Sequence, residues 1–370
     1  MRQRLKSVSI SGYKSIRSLV DFEPGSLTVL IGANGAGKSN LLSFFKMLSW
    51  SLASPGQLQE FLGRHGGAGA VLHDGPERTR DLTARLTLET PSGDNDYAFR
   101  LALASGDVLI YTEEKFRFAR RDWTNSVQWT YLDSGHREAR LLDNTVQNTT
   151  ARTILSLLRR LVSYQFHNTS STARMRGKWH VDDSRYLKED AGNLGAFLMR
   201  LQQQSPVDYR RIVDTVRQAL PFFADFELSL VYDSVLLQWR EVGSDVIFSA
   251  GQAADGMLRF IALVALLMQP EDNLPDVLIL DEPELGLHPF AIEILSELIR
   301  AASRTIQVIV ATQSVSLIDR FDPESVVVVE RRGRESMFQR LDPEAYRSWL
   351  EEYSVSELWE KNVIGGRPAR

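Results

Sequence analysis

The sequence predicts an α/β protein with a mixed, largely parallel core sheet, an antiparallel β lobe and an α-helical lobe. Three observations predict it. A glycine-rich loop at residues 32–39 lies between a short β-branched run at 27–31 and a stretch with apolar residues at helical spacing at 40–52. Two apolar runs in the last third, at 277–280 and 306–311, alternate with helical patterns, as the strands of a parallel sheet do. Between residues 79 and 132, alternating runs are separated by Ser-Gly and Asp-rich turns, the pattern of antiparallel strands.

The elements follow in order. Leu5, Val8 and Ile10 form a first strand, Gly12-Tyr13-Lys14-Ser15-Ile16 turns, and Leu19, Val20 and Phe22 form a second. Residues 27–31 read as a buried parallel strand, and Leu41, Leu42, Phe44, Phe45 and Leu48 mark the helix after the loop. Gly63, Gly66, Gly67 and Gly69 make residues 54–75 read as a mobile loop. Strands are expected at 82–88, 97–103, 108–112 and 127–132. Residues 151–164 and 187–220 read as helical, the second punctuated by Pro206, and a hairpin turning at Asp233-Ser234 occupies 226–242. A helix at 256–268, a strand at 277–280, a helix at 289–301 and a strand at 306–311 come next. A hairpin at 325–341 and two short helices close the chain. This divides it into an N-terminal lobe (1–150), a helical insertion with its hairpin (151–250) and a C-terminal lobe (251–370).

Composition narrows the function. The 370 residues include no cysteine, which excludes a disulfide scaffold, a thiolate zinc site and a cysteine nucleophile. It also fits a reducing compartment, so the expected location is cytoplasmic. With 43 basic and 47 acidic side chains, the net charge of −4 argues against a nucleic-acid coat over the whole surface, though not against a local basic patch. The longest apolar stretch, 257–268, is 12 residues and is interrupted by Arg259. A membrane span needs about 20, so no membrane partner surface is expected within the chain.

Gly32-Ala33-Asn34-Gly35-Ala36-Gly37-Lys38-Ser39 matches G-x-x-x-x-G-K-[ST] in full. The glycines let backbone N–H groups converge on phosphate oxygens, Lys38 reaches the β/γ-phosphates, and the Ser39 hydroxyl ligates Mg²⁺. The helix that follows offers its positive end to the same anion. The expected ATP-binding set is Gly32, Asn34, Gly35, Gly37, Lys38, Ser39 and Asn40, with Mg²⁺ as cofactor. Val277-Leu278-Ile279-Leu280-Asp281-Glu282-Pro283 is an apolar strand ending in two acids. Asp281 is expected to serve the metal and Glu282 to act as general base on the attacking water. The second core strand ends at Thr312-Gln313-Ser314, from where Gln313 could sense the γ-phosphate.

These pieces, in this order, resemble the ABC-type ATPase heads of the SMC/RecF/OLD branch, and more closely the stand-alone bacterial AAA family ATPases built on such a head. The similarity also takes in Ser9 to Ile16, Phe166-His167-Asn168-Thr169-Ser170, Ala254 to Phe260, Asp281-Glu282-Pro283-Glu284 to Pro289, and the tail Leu358-Trp359-Glu360-Lys361-Asn362 with Gly365-Gly366-Arg367-Pro368. The resemblance implies a composite site: one subunit supplies the phosphate loop and acids, and the other presents a signature motif in trans. That motif falls on Ala254-Asp255-Gly256, where the family's serine is replaced by alanine; Ser249-Ala250-Gly251-Gln252 is the competing register. The resemblance further places a coupling loop at His167 and Asn168, and His288 in the loop linking two active sites. Gln313 stands where many relatives carry a histidine. Lys14, in the turn after the first strand, reads either as a residue near the nucleotide or as a solvated lysine, the second being preferred.

Two functions from different classes follow. One is an ATP-hydrolysing switch, a homodimer through sandwiched ATP, controlling a separately encoded effector nuclease in DNA maintenance or antiphage defence. The alternative is a RecF-like clamp that closes on DNA when ATP binds. DNA is a candidate partner through three basic clusters: Arg117, Arg120 and Arg121 about Trp123; Arg174, Arg176, Lys178 and Arg185 about Trp179; and Arg331, Arg332 and Arg334. Residues 170–186, polar and mobile by composition, are the best of these.

Overall fold

The structure, a computed structural model, describes residues 3–121, 127–143 and 148–366. Two six-stranded sheets organise it. In the core sheet the strands run Glu335–Arg340, Val326–Arg332, Leu27–Ile31, Gln307–Thr312, Val277–Asp281 and Leu161–Tyr164. All neighbours are parallel except the edge hairpin Val326–Arg332/Glu335–Arg340. Because successive side chains leave opposite faces of a strand, the valines and isoleucines sort into two cores. Leu30, Ile279, Ile309, Val327 and Val329 face the helix Lys38–Ser51. Val29, Leu278, Leu280, Val308 and Val310 pack with the helices Asp255–Leu267 and Pro289–Ser303. Burial on both faces is why these strands are nearly all apolar rather than alternating.

The second sheet is antiparallel throughout, in the order Ile16–Phe22, Arg4–Tyr13, Asp81–Thr90, Gly93–Ala104, Val108–Arg120 and Thr130–Leu132. The expected lobe at 79–132 thus also takes in the first two strands, and its last strand is shorter than the expected 127–132. Gln307 bolts the two sheets together from a position 2% exposed. Its Oε1 accepts from Leu5 N at 2.9 Å, and its Nε2 donates toward the carbonyls of Leu5, Pro24 and Gly25 at 3.1, 2.8 and 2.9 Å. A buried amide with both ends satisfied fixes register as an apolar side chain could not.

Several expectations are corrected. Residues 54–75 are not a mobile loop: helices Gln57–Arg64 and Ala68–Val71 bury Leu58, Phe61, Leu62 and Val71, and Gly63 and Gly69 lie within them. Gly56 and Gly67 are their N-caps at φ 90° and 94°, backbone that other residues adopt at a cost. The expected helix at 151–164 ends early. Thr149–Arg159 is helical, and after Arg160 the chain becomes the strand Leu161–Tyr164, parallel to Val277–Asp281. The helical stretch at 187–220 begins only at Leu194, as Leu194–Gln204 and Pro206–Ala219. The hairpin at 226–242 is divided between two small three-stranded sheets. Residues 170–186 are ordered by a short turn, Arg174–Arg176, and a strand, Trp179–His180, paired with Ser234–Val235. Among the described residues no helix is long and apolar enough to cross a membrane.

Candidate functional site

Four neighbouring parallel strands end on the same edge of the core sheet, and each delivers a polar group there. Leu27–Ile31 runs into Gly32, Gln307–Thr312 into Gln313, Val277–Asp281 into Glu282, and Leu161–Tyr164 into Gln165. Crevices at the carboxyl ends of such strands are where α/β folds bind ligands. The phosphate loop arrives from the central strand. Gly37 adopts φ 116° and no side chain caps the helix it starts, so the positive end of Lys38–Ser51 stays uncapped beneath the loop. The loop is clamped from behind. Ser336 Oγ donates to Ser15 Oγ at 2.6 Å and lies 2.5 Å from Ala36 O, and Asn40 Nδ2 donates to Ser15 Oγ at 2.6 Å. A Cβ on Gly37 would stand 1.9 Å from Ser336 Oγ, so only glycine fits there. Lys38 is 5% exposed and folds back on the loop, its Nζ donating to Gly32 O and, at 3.2 Å, to Ala33 O. Burial lowers its pKa, while Glu282, Asp281 and Glu284 favour its charge. Asn34, Gly35 and Ser39 are exposed at the loop's outer side.

Asp281 and Glu282 sit beside it in different states. Asp281 is 8% exposed, and burial pushes its carboxyl up. Its Oδ2 accepts from Gln165 Nε2 at 3.2 Å, whereas the buried Oδ1 has no hydrogen-bond partner. Glu282 stands at φ 42°, a left-handed backbone rare for glutamate, pinned by its N–H on Ala311 O at 2.8 Å. Gln313 Nε2 donates to Glu282 Oε1 at 3.1 Å. Below them Glu284, 7% exposed and with its pKa raised by burial, accepts from Thr312 Oγ1 at 2.5 Å. His167 lies against the same strand end: Nε2 is 3.0 Å from Asp281 O and Nδ1 is 3.1 Å from Gln165 Nε2. Asn168 instead turns locally, its Oδ1 accepting from Ser170 N and Oγ.

The helix Asp255–Leu267 starts with Ala254 as its N-cap and no side-chain cap. Gly256 permits close packing, since a Cβ there would stand 2.3 Å from Gly286 O in the loop after the acids. Ser249–Gln252 takes another shape: a 3₁₀ turn closed on itself, with Ser249 N donating to Gln252 Oε1 at 2.9 Å. Two arginines brace this corner. Arg176 donates to the carbonyls of Thr169, Ala250 and Ala253 and pairs with Asp255 at 2.9 Å. Arg259 donates to Phe166 O, Leu285 O and His167 O, each at 2.9 Å. On this geometry Ala254→Ser adds a hydroxyl at an open helix N-terminus, so ATP turnover is expected to be retained or raised. Steady-state phosphate release checks it; loss of turnover in Ser249→Ala alone would favour the other register.

Other expected residues fall elsewhere. His288 caps the helix Pro289–Ser303, its Nδ1 accepting from Phe290 N at 3.3 Å. Lys14 is not solvated: it is half-buried at φ 46°, donates to Ser43 Oγ at 2.7 Å, and burial lowers its pKa. Of the basic clusters, Trp123 lies outside the described residues. Arg117 instead stacks over Trp129 and pairs with Asp96 at 2.5 Å, while Arg121 pairs with Glu89 and Arg174 with Asp190. Arg176 is a buried brace rather than a surface cation. Arg331 reaches the phosphate loop, donating to Gly35 O at 3.2 Å. Gln165, Arg176, Arg259, Ser15 and Ser336 are site residues that the sequence reading did not assign.

No curated protein matches the chain. A solved SMC head bound to the C-winged helix domain of ScpA is 14% identical, with a TM-score of 0.61 over 93% of this chain and 99% of that one. A Pyrococcus furiosus Smc head with an extended coiled coil, bound to the C-terminal domain of ScpA, is 14% identical, with a TM-score of 0.59 over 95% and 99%. The Thermotoga maritima SMC head is 13% identical, with a TM-score of 0.50 over 92% and 99%. At this identity the likeness concerns the fold, and it covers both sheets and the helical side. Residues 27–319, from the strand before the phosphate loop to beyond Gln313, match the family described as AAA domain, putative AbiEii toxin, Type IV TA system. The chain belongs to that AAA domain family, and its fold is similar to that of the SMC heads.

Proposed function

We propose that the chain binds ATP with Mg²⁺ and hydrolyses it as a homodimer, working as a switch on a separately encoded effector in DNA maintenance or antiphage defence. The observation that carries this reading is the convergence of the Gly32–Ser39 loop, Asp281, Glu282, Gln313 and Gln165 at four adjacent strand ends. The residues present suit the metal. Asp281 Oδ1 is buried with no partner in the fold, an oxygen whose lone pairs a cation or its water shell would satisfy, and the Ser39 hydroxyl is exposed on the loop. Asp281 and Ser39 would hold Mg²⁺, which supplies neutralising charge to the phosphates. Lys38 leaves the loop carbonyls for the β/γ-phosphates. Glu282 takes the proton of the attacking water, and the Gln313 amide on its Oε1 holds the carboxylate in place.

The signature register supports dimerisation. Ala254, Asp255 and Gly256 form an open helix N-terminus at the loop beyond the acids, suited to the γ-phosphate bound by another subunit. That SMC heads in the solved structures hold a domain of a separate protein supports a protein partner here too. The proposed division is 1–150, 151–250 and 251–370, with Leu161–Tyr164 of the middle part completing the core sheet, and the proposed location is the cytoplasm. The DNA-clamp reading draws less support, because Arg117, Arg121 and Arg174 already pair with acids. The expected result is Mg²⁺-dependent phosphate release from ATP by the purified chain, abolished by chelation. Absence of turnover, with or without the proteins encoded beside it, would refute the enzyme.

A further inference from the structure

The tail after the last helix does more than end the chain. Helix Val355–Glu360 buries Leu358, and the backbone then reverses through Asn362 at φ 60°, with Val363 N donating to Leu358 O at 2.9 Å. Ile364 is buried, Gly365 and Gly366 take φ 79° and 83°, and the segment returns to the phosphate loop. There Gly366 O accepts from Ala33 N at 3.0 Å. Gly366 is buried in a slot: a Cβ on it would stand 2.8 Å from Val328 Cγ1 and 3.1 Å from Trp359 Nε1. Val328 pairs with Ile31, the residue before the loop, so the slot is walled by the strand beside the one that carries the loop.

The other end of the segment is tied to the strand of Gln313. Asp319, just after the short helix Val315–Ile318, accepts from Ser356 N at 2.9 Å and from Ser356 Oγ at 2.6 Å. A continuous path therefore runs from Gln313 through Asp319, Ser356 and Trp359 to Gly366 and Ala33. Gly32 O and Ala33 O both accept from Lys38 Nζ. When Lys38 leaves them for a phosphate, those carbonyls lose their donor. The Ala33 N–H remains fixed by Gly366 O, so the first peptides of the loop keep their orientation.

We propose that residues 358–366 form an intramolecular strap, with Gly366 and Asp319 as positioning residues, that holds the phosphate loop in its nucleotide-binding shape and ties it to the strand end bearing Gln313. The inference rests on the nucleotide-binding reading above. It is tested by calorimetric titration of the full chain with ATP and Mg²⁺, at a temperature where each variant is fully folded by circular dichroism. Gly366→Ala is expected to raise Kd for ATP about tenfold with an unchanged number of sites. Asp319→Ala, which alters nothing at the loop itself, is expected to raise it about threefold, and Asp319→Asn, keeping one acceptor for Ser356, to recover part of that loss. A purely structural role would lower the number of competent sites and leave Kd alone, and that outcome overturns the strap. Wild-type Kd in both Gly366→Ala and Asp319→Ala also overturns it, provided wild type binds ATP and Lys38→Ala does not. No binding by wild type refutes the nucleotide reading itself, and the strap falls with it.

Discussion

Lys38→Ala is expected to abolish tight ATP binding while leaving the fold intact. The two halves of that expectation have separate grounds. In the structure the ammonium is buried and donates to the carbonyls of Gly32 and Ala33, with burial working against its charge. Truncation removes this buried cation together with its desolvation cost, and the clamp of Ser15, Ser336 and Asn40 still shapes the loop. With ATP bound, the same truncation leaves a desolvated triphosphate without the point charge of the loop. Deleting one partner of a buried, hydrogen-bonded charge pair costs about 2–5 kcal/mol, which is roughly 30- to 5,000-fold in affinity. Calorimetric titration of wild type and variant checks it, with thermal melts run beside them. Unchanged ATP affinity in a folded variant would remove Lys38 from the site and the phosphate loop from its assigned role.

How much of this site can be read from sequence depends on how far apart its parts lie in the chain. Gly32–Ser39 and Asp281-Glu282 are legible because each follows a strand buried on both faces, whose apolar residues announce it. Leu161–Tyr164 is the half-buried edge strand of the same sheet, yet it reads as helix. It comes one residue after the helix Thr149–Arg159, and its buried Leu161 and Tyr164 prolong the spacing set by Ala151, Ile154, Leu157 and Leu158. With that strand hidden, Gln165 had no reason to be placed beside Asp281. The clamp behind Gly37 joins Ser15 to Ser336, 321 positions apart, and the strap joins Ala33 to Gly366; neither leaves a periodic trace. Arg176 and Arg259 are illegible for a different reason. A charged side chain that donates mainly to backbone carbonyls has the same composition as one facing water, and only the folded path of residues 166–169 and 250–253 separates the two. The glycines of 54–75 mislead in the opposite direction, since Gly56 and Gly67 start helices and Gly63 and Gly69 lie within them, where the apolar faces are short.

The second large effect belongs to Glu282. Glu282→Gln preserves the shape of the side chain, the N–H bond to Ala311 O and the unusual φ of 42°, and it leaves Asp281 and Ser39 free to serve the metal. An amide cannot take a proton from water. Hydrolysis is therefore expected to fall by roughly 10²–10⁴-fold, the usual worth of a positioned base, with ATP binding retained. Gln313 adds a check, because its Nε2 donates to Glu282 Oε1 and can donate equally to the amide oxygen of the variant. Gln313→Ala should then lower turnover less than Glu282→Gln does, by loosening the carboxylate rather than removing it. Blocked hydrolysis has a consequence for assembly. Two ATP molecules held between a phosphate loop and the partner's Ala254–Gly256 helix end favour the dimer by mass action for as long as they remain uncleaved. On the proposed composite site, wild type should pass through that closed state transiently and the variant should accumulate it. Light scattering of both proteins, with and without ATP and Mg²⁺, reads this directly, and dissociation of bound ATP should slow in the variant even if other surfaces hold a constant dimer. A variant that stays monomeric at saturating ATP, or one that releases ATP as fast as wild type, would leave the head an ATPase whose signature helix faces nothing.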